Sequence, residues 1–257
     1  MASNDTIKKT FIVAIVLCLV CSVIVSMSSV LLKPIQLANK DAFLKRNILQ
    51  AASMYDQEKS IDEQFEQFTA RMVDLETGKF TDAVDAEGFD QLKAAKDPAL
   101  SIEIPDDQDV AKISRRAKYA KVYTLDGANG IETIIVPIKG YGLWGTLYGY
   151  LALEADANTV VGLSYYDHKE TPGLGGEVDN PRWKALWEGK KIYDRNNDVA
   201  ISVAKGAVDS NDPNLMYKVD GLAGATLTSR GVDLMFKYWL GKNGYEEFLS
   251  NLRQGKA

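Results

Sequence analysis

The sequence predicts an α+β protein: a single N-terminal transmembrane helix, then a soluble domain whose antiparallel sheet is flanked by helices. Three observations predict it. Phe11 to Leu32 carries no charged residue. Tyr119 to Tyr166 falls into runs rich in Val, Ile, Thr and Tyr, separated by turn residues. From Ser229 onward, apolar residues recur at helical spacing. With 257 residues, 46% of them hydrophobic, the chain is long enough for an anchor and one sizeable core. Its net charge of −5 and pI near 5.1, without long basic runs, speak against nucleic acid as a partner.

As a helix, the roughly 22 uncharged residues extend about 33 Å and cross a hydrocarbon core of roughly 30 Å, so lipid surrounds this segment. Lys8 and Lys9 precede it and only Lys33 lies close behind. The positive-inside rule therefore puts residues 1–10 in the cytoplasm as a short tail, and everything after Lys33 in the periplasm. Cleavage at the small-x-small triplet Ser26-Met27-Ser28 is the competing reading. Against it, the apolar run continues through Val30-Leu31-Leu32, beyond the length of a signal-peptide core. The only cysteines, Cys18 and Cys21, lie inside this run. The soluble part therefore has no thiol and no disulfide. At a spacing of three the pair shares one helix face, where small residues pack against neighbouring helices.

Residues 33–117 read as a mainly helical periplasmic segment. Asp41–Tyr55 and Ser60–Leu75 are amphipathic, and Ser60-Ile61-Asp62-Glu63 has the form of a capping box. Pro98, Pro105 and Asp106-Asp107 mark a looser connection before Val110–Arg116. Over 118–257 the period changes and an α+β domain is expected. Tyr119–Leu125, Glu132–Lys139, Thr146–Glu154 and Thr159–Tyr166 are broken by Asp126-Gly127, Gly140 to Gly145 and Asp156-Ala157-Asn158, which gives a β-meander. Asn180 followed by Pro181 predicts a short helix with proline in its first turn. A strand around Ala200–Ala204, a polar loop from Asp209 to Pro213 and two closing helices complete the chain.

Just before the first closing helix, Asp220 to Ser229 reads DGLAGATLTS. Gly221 and Gly224 permit positive φ and leave room beside the main chain. Thr228 or Ser229 suits a helix cap, with the helix starting near Ser229. The free amides of a helix N-terminus also suit a phosphate, beside which Thr226 offers a hydroxyl. Capping residues and a cofactor acceptor are both consistent with these residues alone. Gly140-Tyr141-Gly142-Leu143-Trp144-Gly145 matches the G-x-G-x-x-G spacing, but a strand follows where a dinucleotide fold needs a helix. A hairpin turn fits better, presenting Leu143 and Trp144 to a flat ring; the alternative makes Trp144 a core residue. Glu170-Thr171-Pro172-Gly173-Leu174-Gly175-Gly176-Glu177 is a glycine-rich loop whose main chain can approach a ligand. His168, the only histidine, cannot alone build a metal centre or a Ser/His/Asp triad. No Walker A, zinc or iron–sulfur spacing occurs, so no metal site is expected and any redox chemistry must come from an organic cofactor.

Gly224-Ala225-Thr226-Leu227-Thr228 resembles the flavinylation motif of the covalent-FMN-binding domain family, Ser-Gly-Ala-Thr followed by an apolar residue and Ser or Thr. Ala223 stands where that motif has Ser. Together with the apolar anchor, the Gly142-Leu143-Trp144 turn and the Glu170–Glu177 loop, the chain is similar over nearly its whole length to the membrane-anchored flavoprotein subunit of bacterial Na(+)-translocating NADH:quinone reductases. The resemblance implies FMN held by a phosphoester to Thr226, attached by a separate flavin transferase that uses FAD. It further implies contacts to FMN from Gly142, Leu143, Trp144, Glu170, Thr171, Gly173, Leu174, Gly175, Gly224, Ala225, Leu227 and Thr228, and no catalytic acid or base. The other subunits of a six-subunit inner-membrane complex would be its partners. That complex oxidises NADH, reduces ubiquinone and moves sodium, while this subunit relays electrons. The alternatives are the homologous flavoprotein subunit of the related ferredoxin:NAD reductase complex, and an anchored binding or assembly module without flavin.

Overall fold

In a computed structural model that describes residues 6–128 and 130–257, the uncharged run belongs to one helix of 45 residues, α1 (Ile7–Ala51), which contains Pro34. Its most apolar 18-residue window has a mean hydropathy of 2.8 and no buried residue, as expected of a surface that lipid covers. The cytoplasmic tail expected over 1–10 lies outside the described residues as far as residue 5. The chain divides between Phe43 and Leu44 into two compact units.

The second unit holds the last turns of α1 and, in order, α2 (Ile61–Phe65), β1 (Phe68–Asp74), β2 (Lys79–Phe80), α3 (Gln91–Ala94), β3 (Ser101–Glu103) and β4 (Arg115–Ala117). The meander follows as β5 (Tyr119–Gly127), β6 (Gly130–Tyr141), β7 (Thr146–Glu154) and β8 (Val160–Asp167). Beyond it lie α4 (Pro181–Lys184), β9 (Ser202–Val203), β10 (Lys218–Val219), α5 (Thr226–Leu240) and α6 (Glu246–Arg253). All four meander strands form where the alternation places them. α4 has Pro181 in its first turn as expected, and Asn180 caps it by accepting from the Arg182 amide.

The main sheet has six strands in the order β2-β1-β5-β6-β7-β8, every pair antiparallel. Period-two alternation sends successive side chains to opposite faces. Val122, Ile134, Val136, Leu151 and Leu153 join the larger core, which also holds Val232, Met235, Phe236 and Trp239 of α5 and Phe248 and Leu249 of α6. Tyr123, Ile135, Tyr150 and Ala152 face the other way and pack with Ile48, Leu49 and Ala51 at the end of α1. There the Ser164 hydroxyl donates to Asn47 Oδ1 at 2.7 Å. Gly162 lets the helix end come close: a Cβ at that position would lie 2.5 Å from the Ala51 carbonyl oxygen.

The structure corrects the expected mainly helical segment over 33–117. The helix read over Ser60–Leu75 stops at Phe65, and Phe68–Asp74 is a strand. Phe68 through Asp74 pair with Leu125 through Tyr119 of β5, so residues far apart in sequence decide the outcome against local propensity. Ser60 does precede α2, but its hydroxyl makes no capping bond. The buried Gln64 side chain instead ties the turn down, accepting from the Asp56 amide at 2.7 Å and donating to the carbonyls of Asp56, Lys59 and Ser60. With β1 between β2 and β5, residues 44–117 are part of the same compact unit as 118–257.

Candidate functional site

Three separated segments meet where α5 begins. The first is the β6–β7 hairpin loop, where the Gly142 amide donates to the Gly145 carbonyl at 2.8 Å. Its tip carries Leu143 and Trp144, the latter 64% exposed; Trp144 is not a core residue. The second is the loop after β8, where the Thr171 carbonyl accepts from the amides of Leu174 at 3.1 Å and Gly176 at 2.9 Å. Gly173 at φ +76 makes that tight turn possible. The third is the start of α5.

Glu170 joins the three. Its side chain is buried at 5% exposure. Oε1 accepts from the amides of Leu143 and Trp144, both at 2.9 Å, and Oε2 is bonded by the Thr228 hydroxyl at 2.5 Å. The surrounding glycines are required by this packing. A Cβ on Gly142 would lie 2.5 Å from Oε1, and one on Gly175 would lie 2.5 Å from both Oε2 and Thr228 Oγ1. The Glu170 amide donates to His168 Nδ1 at 3.3 Å, and His168 Nε2 lies 3.6 Å from Asp179. The only histidine thus braces the loop from behind.

α5 begins at Thr226, three residues earlier than the sequence suggests, and no side chain caps it. The two residues expected as caps have other partners. Thr228 bonds Glu170, and the Ser229 hydroxyl accepts from the Leu222 amide at 2.9 Å, fastening the approach to the helix. The amides of Thr226, Leu227 and Thr228 therefore stand at an open helix N-terminus. Thr226 is exposed whereas Thr228 is buried. Gly224, at φ +70, turns the chain into the helix, and Leu174 would lie 3.1 Å from a Cβ placed there. Leu143 and Trp144 at the hairpin tip, Leu174 in the loop and Leu227 next to Thr226 in the chain are all large apolar residues left exposed.

The site residues read from the sequence are thus brought together by a buried carboxylate. Gly142, Gly175 and Thr228 wrap it, Leu143 and Trp144 hang from it by their amides, and Thr171, Gly173, Gly224 and Ala225 shape the backbone. Sequence reasoning missed Ser229 as a clasp. It also missed Asp220, whose carbonyl accepts from Trp183 Nε1 and whose carboxylate accepts from the Val208 amide, both at 2.8 Å. Both lie inside DGLAGATLTS, so the motif marked their place but not their role. Gly140 was read only as part of a turn, and Gly231 gave no signal. A Cβ on Gly231 would lie 2.4 Å from the Tyr141 carbonyl oxygen, and one on Gly140 would lie 2.6 Å from Met235 Cβ. These contacts seat α5 directly on β6.

The arrangement fits a phosphorylated ring cofactor: an accessible hydroxyl, uncapped helix amides for a phosphate and exposed apolar side chains for a flat ring. Residues 142–241 match the FMN-binding domain, so fold and site together define a flavin-binding domain behind a candidate membrane anchor. The chain is 50% identical over 261 residues to NqrC of the Na(+)-translocating NADH-quinone reductase of Pseudomonas aeruginosa, covering all of both chains. It is 47% identical over 256 residues to NqrC of Vibrio vulnificus, covering 99% of each. Among solved structures, Shewanella oneidensis NqrC superposes with a TM-score of 0.77 at 35% identity, covering 84% of this chain and 99% of that one. The corresponding reductase subunit from Parabacteroides distasonis gives a TM-score of 0.66 at 27% identity, covering 85% and 97%. The chain belongs to the NqrC family of Na(+)-translocating NADH-quinone reductase subunits.

Proposed function

We propose that Thr226 carries FMN as a phosphoester and that the domain relays electrons between other subunits of a Na(+)-translocating NADH:quinone reductase from the periplasmic side of the inner membrane. The observation that carries this reading is the exposed Thr226 hydroxyl on the first turn of an uncapped helix of 15 residues. Thr228 is the poorer acceptor, because its hydroxyl is buried against Glu170. In the attachment by a flavin transferase, a bond forms between Thr226 Oγ1 and the FMN phosphorus of FAD, AMP leaves, and the hydroxyl proton passes to a base on the transferase. Bound FMN supplies the electron-transfer chemistry, taking up or giving out electrons one or two at a time. The chain's own residues would hold it: the first-turn amides of α5 would meet the phosphate, and Leu143, Trp144, Leu174 and Leu227 would shield the ring from water. No acid or base is required of them. The apolar helix anchors the chain in the membrane, with Lys8 and Lys9 favouring a cytoplasmic N-terminus.

Co-production of the full chain with a flavin transferase tests the attachment. The wild-type band should fluoresce after denaturing electrophoresis, and its intact mass should rise by one FMN ester. Thr226→Val should lose both. A dark wild-type band, or fluorescence that persists in the variant, overturns the assignment.

A further inference from the structure

We infer that Glu170 sets the reduction potential of the flavin through its buried charge, rather than by touching the cofactor; this rests on FMN attachment at Thr226. Both carboxylate oxygens are already occupied: two amides at 2.9 Å meet Oε1, and the Thr228 hydroxyl at 2.5 Å meets Oε2. Two of these donors are backbone N–H groups, which can only donate, so Oε1 acts purely as an acceptor. Gly142 and Gly175 lie against the same two oxygens, and the Glu170 side chain is buried among these partners.

The charge of this carboxylate is held by dipoles alone. Among the described residues no Lys, Arg or His forms an ion pair with Glu170. The neighbouring His168 faces Asp179 with Nε2 and offers Nδ1 to the Glu170 amide, not to its carboxylate. Glu170 is 5% exposed, and a charge so poorly screened by water acts over longer distances than one at the surface. It sits one hydrogen bond from Thr228, on the same helical turn as the acceptor Thr226. An anion fixed on this turn of α5 would oppose the arrival of electrons on a flavin held at Thr226 and so lower its potential. Glu170 is thereby a positioning and electrostatic residue. It holds the hairpin tip, the loop and α5 in one arrangement, and it biases the flavin toward giving electrons away.

Glutamine at this position separates charge from geometry. Its carbonyl oxygen can accept from the Leu143 and Trp144 amides while its NH₂ donates to Thr228 Oγ1, so the three segments stay joined and the charge is gone. The test is spectroelectrochemical titration of the full-length, flavinylated chain in detergent. Glu170→Gln should raise the midpoint potential by roughly tenfold or more in the one-electron equilibrium, a shift of about 59 mV or more. Thr228→Val keeps the charge and removes one compensating donor, and should shift the potential downward. This second variant decides the matter if Glu170→Gln does not fold. Potentials unchanged from wild type in the folded variants, or a downward shift for Glu170→Gln, overturn the inference. A wild-type chain that gains no FMN mass instead overturns the Thr226 assignment on which it rests, so the two failures are distinct.

Discussion

At the scale of single residues, the site is a set of close approaches that only particular side chains permit. Gly175 is constrained twice over, since an added methyl would meet both the Glu170 carboxylate and the Thr228 hydroxyl at 2.5 Å. Overpacking of this kind costs about 1–3 kcal/mol, and here it would also break the bond that joins the loop to α5. Gly175→Ala should lower the melting temperature by several degrees and reduce the flavinylated fraction measured by intact mass; wild-type values for both would count against the packing described. That a helix follows DGLAGATLTS was legible in the sequence, because small residues and hydroxyls cluster ahead of apolar residues at helical spacing. The roles of Thr228 and Ser229 were not. A hydroxyl near a helix start reads as a cap, and only the fold shows that Glu170 and the Leu222 amide, distant or turned away in sequence, claim these two.

At the scale of elements, the β7–β8 turn shows how local chemistry fixes register. Asp156 accepts from the amides of Asn158 at 2.9 Å and Thr159 at 2.7 Å, from the Thr159 hydroxyl at 2.6 Å and from Lys191 at 3.0 Å. Partial burial pushes its pKa upward, but the Thr159 and Asn158 bonds and Lys191 outweigh it, bringing the value down from 3.8 to about 2. A carboxylate with a depressed pKa stabilises the fold above its unfolded value, and that contribution is lost as pH falls through the folded one. The stability gap between wild type and Asp156→Asn should therefore be full above about pH 5 and narrow toward pH 2. Thermal melts across that range would show it, and a gap independent of pH would refute it. The meander was readable because its strands alternate and its turns are marked. Ser60–Leu75 was misread because Ile61, Phe65, Phe68 and Met72 also sit at helical spacing, and because β5, the partner that makes β1 a strand, follows some fifty residues later.

At the scale of the molecule, the long apolar helix and the sheet-rich unit were both evident in the sequence, while their boundary was not. The sequence changes character near Lys118, but the compact unit begins at Leu44, because β1 and the last turns of α1 complete a sheet that the meander alone leaves uncovered. Orientation is argued from the lysines flanking the apolar run. A C-terminal alkaline phosphatase fusion to the full chain should be active in cells, and an inactive, stably produced fusion would place the domain on the opposite side.

The direct seating of α5 on β6 has one more consequence. With Gly231 against the Tyr141 carbonyl and Gly140 against Met235, the helix fits the strand as a key fits its slot. A slip of one residue would bring Arg230 or Val232 to a place where no side chain fits, and would swing Thr226 about 100° around the helix axis. The direction in which the Thr226 hydroxyl faces is therefore locked by two glycines that bear no functional group at all.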